Sequence, residues 1–207
     1  MAENERWQLF EESIRLLQQG KFAESEIILK KLTSLEGVHF STWVVLGRCQ
    51  LALEKFDDAE KSARKAMELD ENAAENWNLL GCVMKARTAF AEAEPLFLKA
   101  LEINPRDATS WSGLSTILLG LGKYDEAETA ARKSIELSPN FFEGWVVLGT
   151  LCIKQGRFQE SEDALRRLVE LSPNTPEAFD LLGVALSAQG KHDEAAAAKT
   201  RAKTLRT

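Results

Sequence analysis

The sequence predicts an all-α solenoid built from repeated pairs of helices. Trp43, Trp77, Trp111 and Trp145 stand 34 residues apart, and a further step of 34 reaches Phe179. Each period holds two amphipathic stretches long enough for a helix and too poor in apolar surface to fold alone, so neighbouring pairs must stack. Gly or Pro punctuates most of these stretches, and the column spacing holds along the chain without an insertion.

The columns justify each repeat in order. Three residues after each tryptophan position come Leu46, Leu80, Leu114, Leu148 and Leu182, followed by Gly47, Gly81, Ser115, Gly149 and Gly183. Seven residues on lie Glu54, Thr88, Gly122, Gly156 and Gly190, then the ring residues Phe56, Phe90, Tyr124, Phe158 and His192, then Ala59, Ala93, Ala127, Ser161 and Ala195. This frame places repeats at Arg6–His39, Phe40–Ala73, Ala74–Asp107, Ala108–Phe141, Phe142–Thr175 and Pro176–Thr207, in one continuous domain over 1–207. The first repeat diverges: Gly20, Phe22 and Ser25 match, whereas Leu9, Glu12 and Ser13 fill the Trp, Leu and Gly columns. An end repeat is free to diverge because one of its faces has no neighbour.

The fifth repeat shows the local logic. Trp145, Leu148, Gly149 and Cys152 fall on one helix face, and the glycine admits a close second helix. Gly156 stands where a left-handed C′ residue ends the first helix. Ser161, Leu165 and Leu168 form the inner face of the second, which Ser172-Pro173-Asn174 terminates. Glu54 and Thr88 replace the turn glycine, so those two turns either strain a side-chain-bearing residue or adopt another geometry. Pro95 lies near the start of a second helix, where a missing N–H costs little.

The pattern W-x2-L-G … G-x-[FY]-x2-A … P resembles the tetratricopeptide repeat (TPR) family over nearly the whole chain. The resemblance implies a right-handed superhelix of antiparallel helix pairs whose first helices line a concave groove. It also implies that positions 2, 5, 6, 9, 12 and 13 of each repeat face that groove. Of the 36 residues in these columns, 18 are apolar and 8 charged. A solvated face would be polar, and an exposed apolar patch marks an interaction surface. Val44, Val45, Leu79, Val146, Val147 and Leu181 are the expected apolar contacts, with Arg48 and Lys85 orienting an acidic group. Burial between neighbouring helices is the competing reading of the valines. The family's two-carboxylate clamp for chaperone tails needs Lys, Asn and Arg at set columns of three consecutive repeats. No such set occurs here, and asparagine is absent from columns 6 and 9.

Composition excludes several classes. Apolar residues make up 44% and charged residues 28%, a soluble globular balance that disfavours disorder. The net charge of −6 argues against a nucleic-acid partner. The longest nearly uncharged apolar stretch, Gly144–Ile153, is half of what a membrane span needs, so no membrane insertion is expected. Met1 to Arg6 carries no basic n-region or apolar core of a secretory signal. Cys49, Cys82 and Cys152 have neither the number nor the spacing of a disulfide framework or zinc site, and read as buried reduced thiols in a cytoplasmic protein. His39 and His192 are isolated. No phosphate loop, nucleophile elbow, H-E-x-x-H or dinucleotide turn occurs, so neither catalysis, a cofactor nor a metal is expected. Asp57-Asp58, Asp125-Glu126 and Asp193-Glu194 recur at one column and complement helix dipoles, as do Lys199, Arg201, Lys203 and Arg206 at the other pole.

The expected function is a non-catalytic scaffold or adaptor that binds a partner protein or peptide in a largely apolar concave groove. Two alternatives stand beside it. One is a self-assembling structural protein joined through open solenoid ends, with Trp7, Phe10, Ile14 and Leu17 at one end and the uncapped last helix at the other. The second is the binding module of a larger enzyme or secretion and assembly machine.

Overall fold

The computed structural model describes residues 3–206; Met1 and Ala2 of the N-terminal segment and Thr207 of the last repeat lie outside the described residues. Twelve helices follow one another, with no strand among the described residues. They are α1 (Glu3–Gln18), α2 (Phe22–Thr33), α3 (Phe40–Ala52), α4 (Phe56–Leu69), α5 (Ala74–Ala86) and α6 (Phe90–Ile103), then α7 (Ala108–Gly120), α8 (Tyr124–Leu137), α9 (Phe142–Lys154), α10 (Phe158–Leu171), α11 (Pro176–Ala188) and α12 (His192–Leu205). The first helices of repeats two to six all start at one column, and so do their second helices.

One hydrogen-bond pattern ends every first helix. The N–H groups of Lys21, Lys55, Ala89, Lys123, Arg157 and Lys191 each donate to the carbonyl five residues earlier, at 2.8–3.0 Å. The residue before each donor is left-handed: Gly20, Glu54, Thr88, Gly122, Gly156 and Gly190 have φ of 74, 58, 59, 76, 73 and 76°. This is the Schellman closure, which requires a positive φ. Glu54 and Thr88 therefore keep the turn and accept the backbone strain.

Helices α1–α6 form one compact unit and α7–α12 a second, divided between Pro105 and Arg106. Within each unit consecutive helices pack as pairs, and each pair packs on the next. In the first unit, Leu79 of α5 sits over Gly47 of α3, and the Phe97 ring of α6 over Gly81 of α5. In the second, Leu165 of α10 covers Gly149 of α9. The helix glycine thus admits the partner helix as its column predicts, and at Gly47 it admits the next repeat's first helix instead. Ser25 and Ser161, where other repeats have alanine, donate to the carbonyls of Ser13 and Gly149 at 2.8 Å, so their buried hydroxyls are satisfied. Ser161, Leu165 and Leu168 are all buried, and α10 stops ahead of Pro173. Pro95 falls in the second turn of α6, which continues through it to Ile103.

Trp77 and Trp145 are half-buried, and each indole N–H closes the loop ahead of its helix, donating to Glu71 O at 2.8 Å and to Pro139 O at 2.9 Å. Each tryptophan therefore fixes the entry of its repeat as well as packing.

Candidate protein-interaction site

A binding surface needs side chains that the fold itself leaves uncovered. The eight residues expected in the groove divide on this criterion. Val44 is 5% exposed, Leu79 1% and Val147 4%, so these three belong to the packing of their own units. Leu79 is consumed by Gly47. Val45, Lys85, Val146 and Leu181 are half-buried, and Arg48 is exposed. Val45 packs beside Phe10, Leu17 and Trp43 on the buried Leu29, Leu46 and Cys49 of the first unit. Val146, Ile153 and Leu181 border the core of the second unit. Val184, one turn beyond Leu181 on α11, is 45% exposed and extends that apolar strip into solvent.

The cations of the first unit separate in the same way. Arg15, Arg64 and Arg87 are ion-paired and Arg6 donates to a backbone carbonyl, whereas Arg48 on α3 and Lys85 on α5 make no ion pair among the described residues.

A separate set of charges forms a repeating clamp. Glu26, Glu60, Glu128 and Glu162 occupy one column of the second helices, and each is held from two sides. A cation one turn on grips it: Lys30, Arg64, Arg132 or Arg166. A second comes from the turn of the following repeat: Lys55 on Glu26 at 2.6 Å, Arg87 on Glu60 at 2.7 Å, Arg157 on Glu128 at 2.5 Å and Lys191 on Glu162 at 2.6 Å. At Glu60, Ala89 holds the column that is basic elsewhere, and Arg87, two residues earlier, reaches across in its place. For Glu26, Glu128 and Glu162 burial acts to raise the carboxyl pKa, and the hydrogen bonds from these cations outweigh it, so all three are lowered. At Glu60 the Arg64 hydrogen bond leads in the same direction. The recurrence of glutamate at this column is visible in the sequence, but its pairing needs the stacking geometry. The clamp joins repeats and leaves these carboxylates nothing to offer a ligand.

Two clefts have apolar walls. In the first unit a cleft of about 580 Å³ opens between the start of α1, the α2–α3 loop and the start of α3, lined by Trp7, Phe10, Leu35 and Val38. A second hollow of about 450 Å³ runs on along α1 past Ile14 to Gln18. Sequence reasoning placed Trp7 and Phe10 at an end of the array without seeing the cleft, because the loop that walls it is two residues longer than its counterparts in the other repeats. In the second unit a cleft of about 390 Å³ lies over Trp145, Leu148 and Cys152. Its rim cations are spent within the chain: Arg132 pairs with Glu128 and Glu160, and Arg167 with Glu170.

The cysteines take no part in a disulfide. Burial pushes the Cys49 and Cys152 thiols up, away from thiolate reactivity. Cys82 is half-buried, more open than its sequence suggested. His39 caps α3, its Nδ1 accepting from Ser41 N–H at 3.3 Å. The acidic pairs lie in the first turns of α4, α8 and α12, where helix dipoles favour them. Among the described residues no helix is long and apolar enough to cross a membrane.

The fold agrees with what the chain is similar to. The family model for the middle TPR-like domain of cilia and flagella-associated protein 70 matches residues 86–206, and a tetratricopeptide repeat model matches residues 40–72. No curated protein matches the sequence. Among solved structures, PilW, a widely conserved type IV pilus biogenesis factor, is 16% identical with a TM-score of 0.83, covering 100% of both chains. A thermophilic TPR protein of Thermus thermophilus is 17% identical with a TM-score of 0.75, over 89% of this chain and 98% of its own. YrrB, a TPR protein with an unusual peptide-binding site, is 21% identical with a TM-score of 0.62, over 86% of this chain and 91% of its own. At such identities the likeness is one of fold. The first of these models matches more than half of the chain, and the chain belongs to the tetratricopeptide repeat family.

Proposed function

We propose that the chain is a non-catalytic adaptor, its six repeats forming one scaffold domain over 1–207, and that it binds a partner protein or peptide through the inner faces of its first helices. One observation carries this reading: the apolar strip Val146, Leu181 and Val184 on α9 and α11, which the second unit leaves partly uncovered. Apolar groups at the rim of a finished core mark an interaction surface. Val45 with Arg48 and Lys85 is the corresponding part of the first unit, apolar contact beside cations outside the ion pairs of the fold. Val44, Leu79 and Val147 contribute by holding these faces in place.

Self-assembly by stacking on the last helix is disfavoured. Buried Ala195, Ala198 and Ala202 face inward on α12, and Lys199, Arg201 and Lys203 are exposed. Stacking a further helix there would desolvate those cations.

Val184→Asp tests the adaptor reading, because an exposed site tolerates the change without unfolding. Proteins captured from native lysate by the wild-type chain should be retained at least about tenfold less tightly by the variant, or about 1.4 kcal/mol. Equal retention by the folded variant would remove the second unit's strip from the binding surface.

A further inference from the structure

Helix α1 carries Trp7, Phe10, Ile14 and Leu17 at spacings of three, four and three, which makes one stripe along its length. Trp7 is 59% exposed, and the other three are half-buried. The stripe is not the face on which another repeat would stack. In the third repeat the columns of Gln8, Glu12 and Arg15 hold Asn76, Leu80 and Val83, all buried. On α1 these columns are polar, and Arg15 pairs with Glu12 at 2.6 Å. The stripe instead fills the columns that hold Arg48 on α3 and Lys85 on α5, so it belongs to the inner face of the first unit.

Trp7 and Phe10 line two hollows, the cleft of about 580 Å³ against the α2–α3 loop and the one of about 450 Å³ that runs on past Ile14. Their rings brace each other, with centroids 5.9 Å apart. Each hollow also holds one arginine that is already engaged. Arg6 in the first donates to Glu36 O at 2.9 Å, and Arg15 in the second is spent on Glu12. His39, in the first, keeps Nδ1 as the acceptor that caps α3. The charges left over are acids: Glu3 in the first hollow and Glu11 in the second make no ion pair among the described residues. Glu3, Trp7 and Glu11 follow one another at steps of four residues on one helix face, so a carboxylate stands a turn to either side of the exposed indole. An aromatic face attracts a cation, and neighbouring carboxylates add to that attraction.

We propose that this stripe seats a basic amphipathic helix of a partner protein. Its apolar residues pack along Trp7, Phe10, Ile14 and Leu17, and a Lys or Arg lies over Trp7 between Glu3 and Glu11. The spacing of three, four and three is the seam by which one helix packs lengthwise on another, and Trp7 to Leu17 spans about 15 Å of helix axis, two to three turns. The seat rests on the adaptor reading and names its partner's chemistry over α1, opposite in charge to what Arg48 and Lys85 favour on α3 and α5.

Selection of random peptides displayed on phage against the full chain tests it. Trp7→Ser removes the ring, and the double change Glu3→Gln, Glu11→Gln removes the charges; all three side chains are exposed, and circular dichroism checks that both variants fold. Enriched peptides should carry apolar residues at helical spacing together with Lys or Arg. They should bind at least about tenfold more weakly to either variant, and more weakly to the wild type as salt rises. Peptides that bind both variants as well as wild type overturn the seat; if Val184→Asp weakens those same peptides, the adaptor reading stands without it. A loss at Trp7→Ser alone overturns the basic partner, and prolines inside the enriched stretch overturn the helix. Enrichment of acidic or uncharged peptides, or none at all, overturns the proposal as a whole. So does a concentration-dependent dimer of the free chain that Trp7→Ser abolishes, since the occupant is then a second copy.

Discussion

Glu162 and Lys191, 29 positions apart in sequence, are joined by a hydrogen bond of 2.6 Å from Nζ to Oε2. The carboxylate also receives Arg166 and Gln189, so three donors from α10 and the following repeat converge on one buried acid. Burial acts to raise the Glu162 carboxyl, but hydrogen bonds from Lys191, Gln189 and Arg166 bring its pKa from 4.5 down to about 2. A value lowered on folding stabilises the fold above the unfolded pKa and ceases to do so as pH falls through the folded one. The Glu162 contribution is therefore complete above pH 4.5 and is lost toward about pH 2. Glu162→Gln should cost about 1.5–3 kcal/mol near neutral pH, the worth of hydrogen bonds to a charged group. The cost should shrink in acid, where the wild type loses the same charge. Denaturant melts of both proteins at neutral and acid pH check this, with hydrogen exchange in α10–α12 to localise the loss. A deficit unchanged by pH would mean that packing, and not charge, holds Glu162.

The two turns without glycine make a separate prediction. Glu54 and Thr88 are left-handed, a conformation costing an L-residue about 1–2 kcal/mol. Glycine removes that strain but adds about 0.5–1 kcal/mol of chain entropy to the unfolded state. Glu54→Gly and Thr88→Gly should each stabilise the chain by up to about 1 kcal/mol. Gly122→Ala and Gly156→Ala should destabilise by a similar amount, since open space surrounds both and only the backbone conformation is at stake. Thermal melts of the four variants read the signs directly. Stabilisation by either alanine change would show that those turns tolerate another geometry.

The helix glycines differ in what covers them. A Cβ on Gly149 would stand 2.7 Å from Leu165 Cγ, inside a fully buried layer. Gly149→Ala should cost about 1–3 kcal/mol, the usual penalty for overpacking. At Gly183 the nearest atom is Lys199 Cγ at 3.1 Å, part of an exposed and flexible side chain that can swing away. Gly183→Ala should cost well under about 1 kcal/mol, because the added helix propensity of alanine offsets the loss. Equal penalties in urea melts would mean that the backbone of α12, and not the Lys199 side chain, limits the approach.

The period was legible because it depends on local chemistry. Turn glycines, helix-ending prolines and a fixed apolar face carry their meaning within a few residues, and Phe40, Ala74, Ala108, Phe142 and Pro176 each open a first helix in register. The groove was less legible because exposure depends on what the neighbouring repeat contributes. Leu79 looks like a contact residue by column and is covered because Gly47 leaves it a socket. Trp7 looks like an end residue and lines a cleft because the α2–α3 loop is longer than its counterparts.

Adjacent valines give the sharpest test of the binding surface. Val146 and Val147 are chemically identical and about 100° apart around α9. Val147 is buried, while Val146 is half-buried at the border of the second unit's core. The α3 pair has the opposite register, with Val44 buried and Val45 half-buried. A carboxylate at Val147 or Val44 would be held out of water, so Val147→Asp and Val44→Asp should unfold their repeats, at a cost above about 3 kcal/mol. Val146→Asp and Val45→Asp can turn the charge toward solvent and should keep helicity and most of the melting temperature. These two should nonetheless weaken a native partner by at least about tenfold, or about 1.4 kcal/mol, because each puts a charge into the apolar contact. Circular dichroism melts and partner titrations on the four single variants separate the roles. If Val146→Asp and Val45→Asp fold and bind as wild type does, the inner faces are not where the partner sits. If they unfold as readily as their neighbours, the half-exposed valines are core, and the binding energy must lie at the Trp7 cleft or on the second helices.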